Sequence, residues 1–154
     1  MKNNAHESAK VSFGGEYLLW KCGEHLFGLG LAECQEIVNE VSVTRLPRAP
    51  NYVRGLANLR GNVISIIDLE VLLGYKERPA YGGKASIVRI RTGGYPIAVT
   101  VDSIRDTIFL GEKELEETPA NLSESETTYI SKVAKTSDGL VLVPDLRSIH
   151  SKNQ

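Results

Sequence analysis

Short apolar runs broken by turn residues, repeated along almost the whole chain, constrain the fold of this sequence more than any other feature. They fall at 16–22, 26–31, 41–45, 55–60, 63–68, 85–91, 95–101, 103–110, 130–135 and 140–143. Strands of this length and spacing predict an all-β barrel or sandwich. Helical segments are brief: 32–39, a turn at 50–53, 69–73 and 146–149, none long enough to organise a fold. Of 154 residues, 42% are apolar and 24% charged, which suffices for one ordinary core and argues against two large domains. Residues 1–15 are polar and small and read as a disordered lead-in, 151–154 as a short tail, so the folded domain is expected over 16–150.

An internal echo adds to this. The stretch 61–69, GNVISIIDL, resembles 138–146, DGLVLVPDL: each is a turn, an apolar strand, an Asp and a Leu. In both copies the Asp stands where a strand gives way to a helical turn, and its carboxylate can accept from the free backbone N–H groups there. Asp68 and Asp145 are therefore expected to be structural caps. The chain reads as two related β-subunits sharing one core.

The hairpin around residues 58–62 can be worked out residue by residue. A two-residue Gly61-Asn62 loop sets Arg60 opposite Val63, Leu59 opposite Ile64 and Asn58 opposite Ser65. Opposed residues share a face, so Leu59, Ala57, Ile64 and Ile66 form a core face, while Arg60, Asn58 and Ser65 are aimed away from it. On its own such a tip is an ordinary solvated arginine.

Catalytic equipment is not visible. The sequence has no GxxxxGK[ST] phosphate loop, HExxH pair, GxSxG elbow or CxxC. Gly28-Leu29-Gly30 begins like a dinucleotide loop, but Glu33 puts a carboxylate where pyrophosphate would sit. The three histidines, His6, His25 and His150, share no segment with a second ligand, so neither a metal nor any other cofactor is expected. Cys22 and Cys34 read as small buried hydrophobes in a reducing compartment. Glu112, Glu114, Glu116 and Glu117 around Lys113 read as a solvated surface turn. With 18 basic against 19 acidic side chains, there is no basic excess for nucleic acid, and no apolar run reaches membrane-spanning length. Such a domain is expected to work by binding.

The stretch 47–69, PRAPNYVRGLANLRGNVISIIDL, resembles the signature of CheW-like domains, the coupling proteins of bacterial chemosensory arrays. The resemblance extends over about 16–149: a Tyr-Leu-Leu-Trp opening strand, Phe27-Gly28-Leu29, Gln35-Glu36-Ile37, then 99–104, Tyr129-Ile130-Ser131 and 142–146. It implies two intertwined five-stranded SH3-like β-barrels, and a non-enzymatic cytoplasmic adaptor that bridges a CheA-type histidine kinase and methyl-accepting chemoreceptors. It also implies that Arg60 and Glu36 lie on partner-binding surfaces, with Asn58 and Gly55 in the same stretch. A planar guanidinium on an exposed hairpin suits docking against carbonyls or carboxylates. Cys34 stands where an aliphatic residue is common and Ser65 where proline is frequent, which leaves partner identity open. A stand-alone adaptor associated with membrane-bound arrays through its partners is the simpler expectation. A paralogue serving a type IV pilus or developmental pathway is one alternative, and a small β-barrel ligand-binding regulator or enzyme using the groove between the barrels is another.

Overall fold

The computed structural model describes residues 14–145, and the expected turn at 146–149, the lead-in as far as residue 13 and the tail at 151–154 lie outside the described residues. Alternating apolar runs become eleven strands: β1 (Gly15–Cys22), β2 (His25–Gly30), β3 (Cys34–Ser42), β4 (Val53–Leu59), β5 (Asn62–Ile67), β6 (Lys84–Ile90), β7 (Ile97–Val101), β8 (Ser103–Leu110), β9 (Leu115–Glu117), β10 (Ile130–Thr136) and β11 (Gly139–Pro144). They form two curled sheets, ordered β8-β1-β2-β11-β10-β9 and β3-β6-β7-β5-β4. The chain thus begins in the first sheet, builds the whole of the second, and returns to complete the first. The second sheet has five strands, and the first carries the three-residue β9 as a sixth.

The echo is topological as well as sequential. The β4–β5 hairpin pairs in parallel with β7 through β5, and the β10–β11 hairpin pairs in parallel with β2 through β11. After β5 the Asp68 N–H donates to the Tyr52 carbonyl at 2.8 Å; after β11 the Asp145 N–H donates to the Tyr129 carbonyl at 2.7 Å. Each barrel fills its own interior: Ile64, Ile66, Ile87 and Ala98 in the second, Leu19, Ala134, Val141 and Val143 in the first. A third cluster lies between them and draws Trp20, Phe27 and Leu142 from one sheet and Val88, Val99 and Ile67 from the other. Each fully buried aliphatic or aromatic side chain here contributes about 1.5–3 kcal/mol relative to exposure. Because this central cluster belongs to neither barrel alone, the two must fold together.

Three local readings are corrected. Residues 32–39 are not a helix: a 3₁₀ turn over Leu31–Glu33 leads directly into β3. The pairing of β3 with β6 shifts register between Cys34 and Glu36 and again between Val38 and Val41, and Glu40 has a φ of 55°. Two bulges break the period of two, so the apolar residues of this strand recur at helix-like intervals. Part of the acidic turn at 112–117 is strand β9, whose Glu117 meets the Lys132 ammonium at 2.6 Å. The hairpin turn is Arg60-Gly61, with φ of 53° and 86°, because Leu59 pairs with Asn62 and Asn58 with Val63. Moving the turn by one residue moves each pairing by two positions. The faces survive the error, and Ala57, Leu59, Ile64 and Ile66 are buried together as expected.

Candidate binding surface at the second barrel

The surface is built around the β4–β5 turn. Both central residues have positive φ, the geometry that matches the twist of a two-residue hairpin. Glycine meets that demand freely, whereas Arg60 adopts a conformation its side chain disfavours. Asn58 stabilises the turn, its Oδ1 accepting from the Gly61 N–H at 2.9 Å. Gly55 is buried where β4 crosses the segment after β3. Thr44 and Leu56 exchange two backbone hydrogen bonds of 2.8 Å, and a Cβ on Gly55 would lie 2.2 Å from the Thr44 carbonyl oxygen. Gly55 therefore permits the closure of the second barrel that carries the hairpin.

Arg60 reaches from this tip to β3, where its Nη2 donates to both carboxylate oxygens of Glu36. The arginine side chain is 67% exposed and the glutamate 23%, so the pair is open to solvent on the arginine side. The hydrogen bond from Arg60 holds the Glu36 carboxyl below the usual carboxylate range, and the charges of Arg60 and of Arg89 add to this. Sequence distance separates these two residues, yet barrel closure places them in contact. Asp68 sits elsewhere: its Oδ1 accepts from the N–H groups of Glu70 and Val71 at 2.9 and 3.2 Å, capping the short helix α1 (Leu69–Leu72). Asp145 is described, but the turn it was expected to cap is not among the described residues.

The groove between the barrels holds a polar cavity of about 270 Å³, lined by Cys22, Arg54, Asp68, Glu70, Lys76 and Asp102 among others. Burial, with Asp102 adding to it, pushes the Cys22 thiol up to about 12, and its Sγ donates to the Thr100 carbonyl at 3.1 Å. It is a neutral thiol at physiological pH, not a nucleophile. Its carboxylates are committed too. Asp102 accepts from the Gly23 N–H at 2.6 Å, and Lys76 lies 3.3 Å from Asp68. No group of three or more metal-ligating side chains occurs among the described residues.

Sequence reasoning missed a second polar cluster. His25 stacks on Tyr75 with ring centroids 3.9 Å apart, and the Tyr75 hydroxyl donates to Glu126 at 2.6 Å. Glu126 belongs to helix α2 (Glu124–Tyr129) and forms a reciprocal capping box with Ser123. The Ser-x-x-Glu spacing at 123–126 was the available signal for that helix.

Two curled sheets with a common core and an exposed arginine–glutamate pair define a double-barrel interaction domain. The chain belongs to the CheW-like domain family, whose model matches residues 16–154. It is 23% identical over 146 residues to chemotaxis protein CheW of Klebsiella aerogenes, covering 95% of this chain and 87% of that one. Against chemotaxis protein CheW of Helicobacter pylori the identity is 28% over 132 residues, covering 85% and 78%. Protein PilI of Pseudomonas aeruginosa is 32% identical over 75 residues, 49% of this chain and 41% of the relative. The crystal structure of scaffolding protein TtCheW from Thermoanaerobacter tengcongensis superposes with a TM-score of 0.73 at 26% identity, covering 86% of this chain and 90% of that chain. Members of the family are scaffold adaptors and not enzymes.

Proposed function

We propose that this protein couples a CheA-type histidine kinase to the cytoplasmic tips of methyl-accepting chemoreceptors, acting in the cytoplasm beneath the receptor membrane. The observation that carries the proposal is the Arg60–Glu36 pair, held on a disfavoured turn conformation at the tip of a hairpin locked to a closed barrel. An adaptor transmits geometry, so its contacts must sit on rigid elements, and the Asn58 and Gly55 arrangements supply that rigidity here. Two partners held on one rigid body raise each other's local concentration without further contacts. The kinase supplies the chemistry. No described helix is long and apolar enough to cross a membrane, which fits recruitment to the array through the partners.

The test is co-sedimentation of the purified protein with receptor-containing membranes, with and without kinase. Recruitment that depends on receptor and rises with kinase is the expected result, and no recruitment under either condition overturns the proposal. The likeness to Protein PilI favours a second reading, in which the same coupling serves a non-flagellar pathway such as a type IV pilus or developmental system. A deletion strain that swims and responds normally but loses surface motility or development would select that reading.

A further inference from the structure

Arg89 carries a charge that acts on Glu36, yet its Nε makes no hydrogen bond within the fold. It is paired across the sheet with Glu36 on one side and with Ala98 on the other. Directly paired residues share a face, and Ala98 is fully buried inside the second barrel, as is Ile87 two residues before Arg89. Arg89 thus continues the interior face to the end of the barrel where β6 finishes, β5 begins and the Arg60 turn stands. Its Nε is buried without a hydrogen-bond partner, and no carboxylate lies within ion-pair distance of it among the described residues. The next arginine on that face, Arg91, donates through its Nε to the Ala32 carbonyl at 3.1 Å.

A buried donor without a partner costs free energy in the isolated protein, and a guanidinium offers five N–H donors in a rigid fork. Glu36 is already bonded to Arg60, so the barrel mouth holds two guanidiniums against one carboxylate. An excess positive charge with unused donors is complementary to one more carboxylate.

We infer that the mouth of the second barrel is a carboxylate-binding site, in which an acidic side chain of a protein partner is received between Arg89 and Arg60 while Glu36 keeps Arg60 oriented. This rests on the adaptor reading above and adds to it the chemical class of the partner's contact and a second arginine that reads it.

The experiment titrates wild-type, Arg89→Met, Arg89→Lys and Arg60→Glu proteins against a receptor cytoplasmic fragment and a kinase regulatory fragment separately, after circular dichroism has shown each variant folded. Each Asp and Glu on the fragments is then neutralised in turn and titrated against wild-type protein, a measurement that does not depend on any variant of this chain folding. Arg89→Met is expected to weaken binding to one fragment about tenfold or more, with Arg89→Lys between it and wild type. One acidic residue of that fragment is expected to reproduce the loss and to cause no further loss against Arg89→Met. Wild-type affinity in Arg89→Met with lost affinity in Arg60→Glu overturns the carboxylate site and leaves the adaptor reading standing. A loss in Arg89→Met that couples to no acidic residue of either fragment also overturns it. Undiminished binding by both Arg89→Met and Arg60→Glu removes the surface from the adaptor reading as well.

Discussion

The β4–β5 hairpin of the second barrel and the β10–β11 hairpin of the first occupy matching places in the fold and differ at their tips. Both have two-residue turns, Arg60-Gly61 between Leu59 and Asn62, and Ser137-Asp138 between Thr136 and Gly139. In the first barrel the turn satisfies itself: the Thr136 hydroxyl donates to the Gly139 carbonyl at 2.8 Å and accepts from the Asp138 N–H at 3.1 Å. In the second, Asn58 takes over that local role, and the turn residue Arg60 reaches across to Glu36 on another strand. The repeated parts, the Asp after the strand and the Tyr carbonyl that holds its N–H, build the barrels. The repeat is broken at the second-barrel tip, where the side chain of a turn residue leaves its own hairpin for another strand.

The comparison breaks most sharply if the barrels can unfold separately. Ile66 is fully buried in the second barrel and Val143 occupies the matching buried position in the first. Ile66→Asp and Val143→Asp are each expected to abolish the cooperative melt of the entire chain, since an unpaired buried charge costs about 3–5 kcal/mol and domain stabilities are about 5–15 kcal/mol. A variant that retains half of the native signal with an ordinary transition would show two independent barrels and refute the common core. Gly55→Ala should come next, destabilising by about 2–3 kcal/mol in denaturant melts, because its Cβ meets the Thr44 carbonyl backbone.

The joint between the barrels also carries a pH dependence. The Tyr75 hydroxyl, and after it the Ser123 N–H, hold the Glu126 carboxyl below its ordinary value of 4.5. Its folded pKa lies below its unfolded one, so unfolding takes up protons there. The contribution is complete above about pH 4.5 and is lost as pH falls through the folded value. Thermal melts between pH 3 and 7 should show Glu126→Gln flattening the acid side of the wild-type profile and leaving the neutral side level. An unchanged acid slope would detach Glu126 from the joint. The smallest effect is expected from Arg60→Asn, which suits the positive φ of the turn better and should raise Tm by about 1–3 °C. A lower Tm would mean that the Glu36 contact outweighs the backbone preference.

Much of this architecture was legible because alternation and turn residues are local signals. Nine of the ten strands read from the sequence fall within a few residues of observed ones, and the echo at 61–69 and 138–146 marks a true structural repeat. Strand β3 was illegible for a physical reason: its two bulges destroy the alternation that announces a strand. The hairpin faces were legible although the turn was misplaced, because moving a two-residue turn by one position shifts every pairing by two and so preserves side-chain parity. For the binding surface, Arg60 and Glu36 entered through family resemblance, while their contact depends on barrel closure between distant strands. Arg89 carried no signal at all, since an arginine in an apolar strand reads as a solvated residue until its cross-strand neighbours are known.

The central claim, that the second-barrel tip couples receptor to kinase and the first-barrel tip does not, is tested most directly in reconstituted receptor arrays by measuring receptor control of kinase activity. Two folded variants are compared with wild type: Arg60→Glu, and Ser137→Glu at the matching exposed position of the first barrel. The prediction is loss of receptor control with Arg60→Glu, corresponding to about one to three decades of partner affinity, and wild-type control with Ser137→Glu. Full receptor control by the Arg60→Glu protein, or equal loss in both variants, would contradict the account.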